Sequence, residues 1–253
     1  TNPTFGYYSP CSEIQGMRKI TCAYEGENFL FPIKRFKEKI IKHKPKLIFI
    51  CNPNNPTGTV LSAQEIIKLA NLNKKSLIVV DELYEKFNGD SLLPVIDFKK
   101  IKNIVVIQSL SKTAGLAGLR IGFAFGHKSI MQYINKVTGP YDVNSFAVTA
   151  ALAALNDKSY IDNYVSEVKK ARVLIEKKFE SVAIRRHFGA GNYFLIWPKK
   201  DPEILTRQMR EKGILIREMK NKKDIENSIR VSIGTQEQMS FFWSTYKKLD
   251  LNN

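Results

Sequence analysis

Short apolar segments recur along the first half of the chain, and segments with helical spacing of apolar residues lie between them. Buried strands are predicted at Leu47–Cys51, Ser76–Val80 and Ile101–Gln108, and further strands at Ile121–Phe125 and residues 18–23. Helices are predicted at Ile33–His43 and from Ser62 onwards, where Ser62 and Glu65 have the spacing of a capping box. This alternation predicts an α/β fold with a mostly parallel sheet in three layers.

The pattern changes near residue 146. Apolar residues at helical spacing predict one long helix over residues 158–180. Two more helices and three short strands are predicted after it: Pro202–Lys212, Gln236–Leu249, Tyr193–Trp197, Ile214–Arg217 and Ile229–Ile233. The sequence therefore predicts a larger α/β domain over residues 1–150 and a smaller α+β domain over residues 151–253.

Polar residues that could take part in catalysis or ligand binding follow three of the predicted parallel strands. Asn55, Asp81 and Lys112 each come just after a strand, and ligands of parallel sheets bind beyond the carboxyl ends of the strands. Lys112 stands among Ser109, Ser111 and small residues, a setting that suits either a phosphate contact or a Schiff base with an aldehyde. A lone lysine is more often a solvated loop residue, so the rest of the chain has to decide.

Composition narrows the classes of partner. The 253 residues carry 40 Lys and Arg against 24 Asp and Glu, a formal net charge of +16. The lysines are scattered over predicted helical faces and form no known nucleic-acid-binding motif, so we expect small anionic ligands and no nucleic acid. No apolar run approaches the ~20 residues of a membrane-spanning helix. Three cysteines without metal-like spacing predict free thiols, a cytoplasmic location and no bound metal.

Four motifs in order along the chain resemble those of one enzyme family. They are Asn52-Pro53-Asn54-Asn55-Pro56-Thr57-Gly58, Asp81-Glu82-Leu83-Tyr84, Ser109-Leu110-Ser111-Lys112 with Gly118-Leu119-Arg120, and Ile229 to Thr235. Together they are similar to the class I/II aminotransferases, fold-type I enzymes that use pyridoxal 5'-phosphate (PLP). Segments at Pro3–Gly6, Pro140–Asn144 and Gly213–Arg217 resemble the histidinol-phosphate aminotransferase subgroup most.

The resemblance implies a role for each residue near the cofactor. Lys112 would form a Schiff base with the aldehyde and then move a proton, and Asp81 would keep the pyridine nitrogen protonated. Tyr84 and Asn55 would bind the phenolic oxygen, while Phe5 would stack on the ring. The phosphate would be bound by Ser109, Ser111 and Arg120, whose guanidinium suits bidentate contact.

The resemblance also implies residues for the substrates, an amino donor and a keto acceptor. Arg230 would pair with the α-carboxylate of glutamate, Arg217 would bind a substrate phosphate, and Asn192 would support the site. The implied activity is amino transfer between glutamate and a small phosphorylated keto or amino compound. The implied assembly is a homodimer.

Some alternatives stay open. Decarboxylation of a phosphorylated amino acid uses the same kind of scaffold, and a non-catalytic fragment that keeps the fold is the second alternative. The family fold begins with an earlier α/β unit that carries a dimer arm, and this sequence does not contain it. We therefore expect the sequence to be a fragment, and a chain starting at Thr1 to bind PLP weakly and to be poorly soluble.

Overall fold

The structure is a computed structural model that describes residues 1–88 and 90–252. Its helices are α1 (Tyr8–Ile14), α2 (Ile33–His43), α3 (Ala63–Leu72), α4 (Glu85–Asn88), α5 (Lys128–Asn135), α6 (Ser145–Asn156), α7 (Lys158–Glu180), α8 (Pro202–Glu211) and α9 (Gln236–Tyr246), which continues as a π-helical turn at Lys247–Leu251. Its strands are β1 (Leu47–Cys51), β2 (Leu77–Asp81), β3 (Ile104–Ser109), β4 (Gly122–Gly126), β5 (Arg186–His187), β6 (Tyr193–Ile196), β7 (Arg217–Glu218) and β8 (Ile229–Ser232).

The first sheet has the strand order β1-β2-β3-β4. The first three strands are parallel, and β4 runs antiparallel to β3. Their register aligns Cys51 with Asp81 and Asp81 with Ile107. The carboxyl ends of three strands therefore meet at one rim, and the loops that follow them lie side by side. This mostly parallel sheet confirms the predicted α/β class.

Helices α2 and α3 pack their apolar faces on this sheet. Ile66 and Leu69 of α3 are at most 1% exposed and belong to one cluster with Ile78 and Val80. Full burial of each such side chain contributes about 1.5–3 kcal/mol. The Ser62 side chain accepts a hydrogen bond from the Glu65 backbone N–H at 3.3 Å and caps α3, so one of the two bonds of the predicted capping box forms.

The second sheet is antiparallel, with the order β5-β6-β8-β7. Helices α7 and α9 pack together beside it through an aromatic core. Phe179, Phe194, Phe242 and Tyr246 are all fully buried, and the Phe179 and Phe194 ring centroids are 5.8 Å apart. Sheet and helices form the α+β unit predicted for the second half of the chain.

Local predictions succeed where a long periodic pattern decides the element. Helix α7 has the predicted bounds. The strand predicted at residues 18–23 is wrong: Ala23 forms only an isolated bridge to Asn2, because the segment has no neighbouring strand to pair with. The strand predicted at Ile214–Arg217 begins only at Arg217.

Three features of the fold concern domain organisation, membranes and metal binding. Helix α6 lies across residue 150, where the sequence predicts a domain boundary, so that division stays a prediction. Within the described ranges, no helix combines the length and the apolarity needed to cross a membrane. The same ranges contain no group of His, Cys, Asp and Glu side chains suited to hold a metal ion.

Candidate functional site

A cavity of about 1000 Å³ lies where the rim of the first sheet faces the second sheet. Every site residue predicted from the sequence, with the exception of Asn192, lines it: Phe5, Asn55, Asp81, Tyr84, Ser109, Ser111, Lys112, Arg120, Arg217 and Arg230. These residues come from segments more than two hundred positions apart in the chain. The fold thus brings most of the predicted constellation to one place.

Asp81 is the last residue of β2 and points its carboxylate into this cavity rim. Its Oδ2 accepts a hydrogen bond from the Tyr8 hydroxyl at 2.5 Å, and its Oδ1 accepts one from the Leu83 backbone N–H at 3.1 Å. Burial raises the pKa of Asp81, and these two hydrogen bonds oppose the rise. The Tyr8 ring stacks on Phe49 of β1 at 5.0 Å, which fixes the hydroxyl that orients the carboxylate.

Replacing Tyr8 with phenylalanine is expected to raise the pKa of Asp81 further. The variant removes the stronger of the two hydrogen bonds that favour the charged carboxylate, and a net hydrogen bond of about 1.4 kcal/mol corresponds to about one pH unit. Carboxyl carbon-13 NMR of the purified protein measures this pKa directly. Tyr133→Phe, which changes an exposed ring, is the matched control. An unchanged Asp81 titration in Tyr8→Phe would show that the hydroxyl does not act on the carboxylate.

Lys112 follows β3 and is half-buried beside Arg230. Burial, with a smaller contribution from the Arg230 charge, lowers the pKa of the Lys112 ammonium. A lowered pKa increases the fraction of neutral amine, which is the form that attacks a carbonyl carbon. Lys112 therefore has the environment of a nucleophile.

Hydroxyls and a guanidinium lie at the same end of the cavity as Lys112. The Ser109 and Ser111 hydroxyls are 2.6 Å apart, and the Ser111 backbone N–H donates to Ser109 Oγ at 3.1 Å. Arg120 is exposed, follows the 3-10 turn Ala117–Leu119 and donates to the Ala117 carbonyl at 2.9 Å. Donors of this kind, with one permanent positive charge, suit a phosphate group.

Asn55 connects both halves of the site. Its amide nitrogen donates to the Tyr84 hydroxyl at 3.4 Å, and its amide oxygen accepts from Arg230 Nη1 at 2.7 Å. Burial raises the pKa of Tyr84 to about 12, while the Arg230 charge opposes the rise. Tyr84 therefore stays protonated at neutral pH and can donate a hydrogen bond into the cavity.

The loop that carries Asn55 is held by the second sheet. The Tyr193 hydroxyl donates to the Asn54 carbonyl at 2.6 Å, and the Ala190 N–H donates to the Gly58 carbonyl at 2.7 Å. Gly58 has φ +67°, and a Cβ there would stand 2.5 Å from the Gly189 Cα. Glycine is therefore required at position 58 for the loop to reach the β5–β6 connection.

Arg217 and Arg230 lie directly opposite each other on β7 and β8. Like charges at facing positions of an antiparallel pair are destabilising. Arg230 Nε is buried without a hydrogen-bond partner within the described part of the chain. Two opposed arginines with unused donors are the arrangement expected of a site that binds an anion.

The remaining two predicted residues differ in position. Phe5 is 41% exposed and lines the cavity, with its ring edge-to-face on Tyr8 at 5.4 Å. Asn192 lies outside the cavity lining, because its side chain bonds to Tyr164 and its carbonyl accepts the Ile233 N–H at 2.8 Å. These bonds connect the start of β6 with α7 and with the residue that follows β8, and a supporting role for Asn192 stays a prediction.

Three residues with evident roles were not predicted from the sequence. Tyr8 holds Asp81, Tyr193 holds the Asn55 loop, and Lys222 lines the cavity from the β7–β8 connection. Tyr8 stands three positions after Phe5, a spacing that could have indicated a shared face. No local signal marks Tyr193 or Lys222.

The charge of the cavity wall is strongly unbalanced. Among the described residues that line it, Asp81 is the single carboxylate, whereas the cations are Lys112, Arg120, Arg217, Lys222 and Arg230. A low-dielectric cavity with this excess attracts anions. The cations form two groups: Lys112 with Arg120 after β3, and Arg217, Lys222 and Arg230 on β7, β8 and their connection. Two groups suit two anions, one bound at each end of the cavity.

Comparison with known proteins agrees with this chemistry. The sequence profile described as aminotransferase class I and II matches residues 1–242. A histidinol-phosphate aminotransferase of Caldanaerobacter subterraneus subsp. tengcongensis is 30% identical over 98% of this chain and 69% of its own.

Solved structures share the fold. A histidinol-phosphate aminotransferase from Clostridium acetobutylicum superposes with a TM-score of 0.89 at 23% identity, covering 98% of this chain and 76% of that one. An L-threonine-O-3-phosphate decarboxylase from Porphyromonas gingivalis superposes with a TM-score of 0.81 at 24% identity, covering 97% and 73%. The fold is therefore common to enzymes that break different bonds.

Proposed function

The chain belongs to the class I and II aminotransferase family and is a PLP-dependent transaminase, and from that premise we propose that it reversibly moves the amino group of histidinol phosphate, or of a closely similar phosphorylated amine, to 2-oxoglutarate, which becomes glutamate. The observation that carries the substrate proposal is the cationic group at Arg217 and Arg230, on the same cavity as Lys112 and Asp81. A phosphate ester is an anion of the size and charge that such a group recognises.

The residues present fit PLP. Bound PLP supplies an electron sink that stabilises negative charge at the substrate Cα. We assign Ser109, Ser111 and Arg120 to its phosphate and Asp81 to its pyridine nitrogen. A buried carboxylate whose neighbours are hydrogen-bond donors keeps an adjacent ring nitrogen charged.

Asn55 and Tyr84 contact each other and are assigned to the phenolic oxygen of the cofactor, and Phe5 to its ring face. Tyr84 donates because its pKa of about 12 keeps it protonated. We assign Lys112 to the amine that would hold the cofactor; once released, the same amine would take the proton from the substrate Cα and pass it to the cofactor carbon bonded to the transferred nitrogen. Burial and the Arg230 charge lower the pKa of this amine, which favours the neutral form that can accept a proton.

Arg230 is proposed to bind the α-carboxylate of glutamate. Replacing it with glutamine is expected to raise the KM for glutamate by about 10- to 100-fold, because a charged, bidentate contact is lost. Stopped-flow spectra of the glutamate half-reaction measure this change, and Arg207→Gln, on the α8 surface, is the control. A KM within twofold of the unaltered protein would remove Arg230 from the substrate site.

The test of the proposed function is a direct assay. Purified protein with PLP, histidinol phosphate and 2-oxoglutarate is expected to form glutamate, which chromatography detects. Aromatic amino acids and other phosphorylated amines should be offered in parallel. Absence of glutamate with every phosphorylated amine would contradict the substrate proposal.

Decarboxylation remains the competing reaction, since the choice of bond at Cα depends on which bond stands perpendicular to the cofactor ring. Histidinol phosphate carries no carboxylate and cannot lose carbon dioxide, whereas O-phospho-L-threonine can. Release of carbon dioxide from O-phospho-L-threonine, without glutamate formation from histidinol phosphate, would favour the decarboxylase. No turnover of either compound would favour a non-catalytic fragment that keeps the fold.

We propose a homodimer in the cytoplasm, with the chain divided near residue 150 into a PLP-binding and a smaller domain. Large apolar side chains are exposed around α5 and α6, among them Val137 and Phe146 at 86% and 82% exposure, and such patches mark contact surfaces. The free thiols Cys11, Cys22 and Cys51 suit a reducing compartment. Sedimentation of the PLP-loaded protein tests the dimer.

The proposed partners are small molecules, with no nucleic acid and no membrane.

A further inference from the structure

Lys222 lies on the connection between β7 and β8 and is one of the residues that line the large cavity; it also lines a second cavity of about 530 Å³. Its Nζ is 3.4 Å from the Thr4 carbonyl oxygen, and the side chain is partly buried. Nearby Lys220 has two carboxylate partners, Glu203 at 2.7 Å and Glu218 at 3.3 Å. Lys222 has no carboxylate partner within the described residues, so its charge is available to a ligand.

The groups that act on Lys222 are themselves positive. Burial, then the charges of Arg217 and Arg230, lower the pKa of its ammonium. Arg217 and Arg230 already oppose each other across the β7–β8 pair. Three cations that have no carboxylate partner in the described part of the chain repel one another, and an anion bound among them would relieve that repulsion.

The chemistry of the two proposed substrates distinguishes the anions at this end of the cavity. In glutamate the α-carboxylate is bonded directly to Cα. In histidinol phosphate that position carries a methylene, an ester oxygen and then the phosphate, which therefore extends further from the reacting carbon. A phosphate ester also carries about −1.5 to −2 charge near pH 7 and has three strong acceptor oxygens. It needs more cations, placed further out, than a carboxylate does.

We propose that Lys222 is a substrate-binding residue that, together with Arg217, contacts the phosphate of the phosphorylated amine and makes the enzyme prefer it to the unphosphorylated compound. This inference rests on the proposed function, because it assigns the cation group to that substrate. Arg230 serves both substrates, whereas Lys222 serves the phosphate ester alone.

The test compares Lys222→Met with Lys223→Met, an exposed neighbour with the same change of charge. For Lys222→Met, kcat/KM with histidinol phosphate is expected to fall about tenfold or more. The glutamate half-reaction is expected to stay within about twofold, as is every parameter of Lys223→Met. Lys222→Arg should recover most of the loss. An equal loss with both substrates, or none with histidinol phosphate, would overturn the proposal.

A second readout does not depend on turnover. Acetic anhydride modifies lysine amines, and mass spectrometry of peptides from the PLP-loaded protein gives the extent at each site. Inorganic phosphate is expected to protect Lys222 severalfold and to leave Lys223 unprotected. Protection without turnover of histidinol phosphate would support the anion site while contradicting the proposed substrate. Turnover with no protection and no loss in Lys222→Met would leave the proposed function intact and refute the role of Lys222.

Discussion

Replacing Lys112 with alanine is expected to abolish amino transfer, with a fall in the single-turnover rate of at least about 10⁴-fold. We propose that this half-buried amine is both the covalent hold on the cofactor and the base that removes the proton from the substrate Cα. Among the described residues that line this cavity, the other lysine is Lys222. It lies on the β7–β8 connection, whereas Lys112 follows β3, close in the chain to Ser109 and Ser111. Rapid-quench measurement of keto-acid formation from glutamate tests the prediction.

The control is Lys102→Ala, which removes an exposed lysine just before β3. Borohydride treatment followed by peptide mass spectrometry adds a chemical test, since it makes a lysine-bound cofactor permanent. The cofactor mass is expected on the Lys112 peptide of the unaltered protein and on no peptide of Lys112→Ala. Residual transamination above about 1% in Lys112→Ala would exclude Lys112 as the catalytic amine.

Asp81→Asn is expected to lower the rate of amino transfer by about 10³-fold while the protein stays folded. Asparagine has nearly the same shape: its amide oxygen can accept from the Leu83 N–H, and its amide nitrogen can donate to the Tyr8 hydroxyl oxygen in place of the bond that Tyr8 now donates. What it lacks is the negative charge that we propose keeps the cofactor nitrogen protonated. The half-reaction with glutamate, followed in the stopped-flow instrument, measures the effect.

For the same variant we expect activity to fall but the stability of the cofactor-free protein at neutral pH to stay equal or rise. Burial raises the folded-state pKa of Asp81 above its usual value, so the folded state binds this proton more tightly than the unfolded state. The resulting stability is present below the usual pKa and is lost as the pH rises through the folded-state pKa. At neutral pH the ionised carboxylate therefore costs stability, and we expect Asp81→Asn without cofactor to unfold at the same or a higher temperature.

Calorimetry between pH 4 and pH 8, with Asp162→Asn as an exposed control, separates the two effects. The gain of Asp81→Asn over the unaltered protein should grow with pH. A variant that is both inactive and clearly less stable at pH 7 would indicate a structural role for the carboxylate in place of the catalytic one.

Much of the rim of this site follows from the sequence. Buried parallel strands must end at a common edge, so Asn55, Asp81 and Lys112 had to lie near one another once their strands were recognised. Arg230 belongs to a second sheet, and only the motif resemblance connects it to that rim. In the structure its contact with Asn55 makes the connection at 2.7 Å.

Residues that depend on the path of irregular segments could not be predicted in this way. Tyr8 reaches Asp81 across more than seventy positions, and Lys222 approaches Thr4 across more than two hundred. Periodicity carries no information about such contacts. The strand expected at residues 18–23 failed for a related reason, because strand propensity without a pairing partner does not form a ladder. Asn192 resembles a site residue by its neighbours in sequence, and in the structure it bonds to Tyr164 of α7 and to Ile233, which follows β8.

The absorption spectrum of the purified protein with PLP, recorded before and after addition of glutamate, tests the central claim most directly. We expect a visible band from the lysine-bound cofactor that glutamate converts to the near-ultraviolet band of the aminated cofactor. Lys112→Ala is expected to lack that conversion. A visible band that glutamate leaves unchanged would contradict glutamate as the amino donor, and the absence of any band in protein shown to be folded would contradict the assignment of Lys112 and its neighbours to PLP.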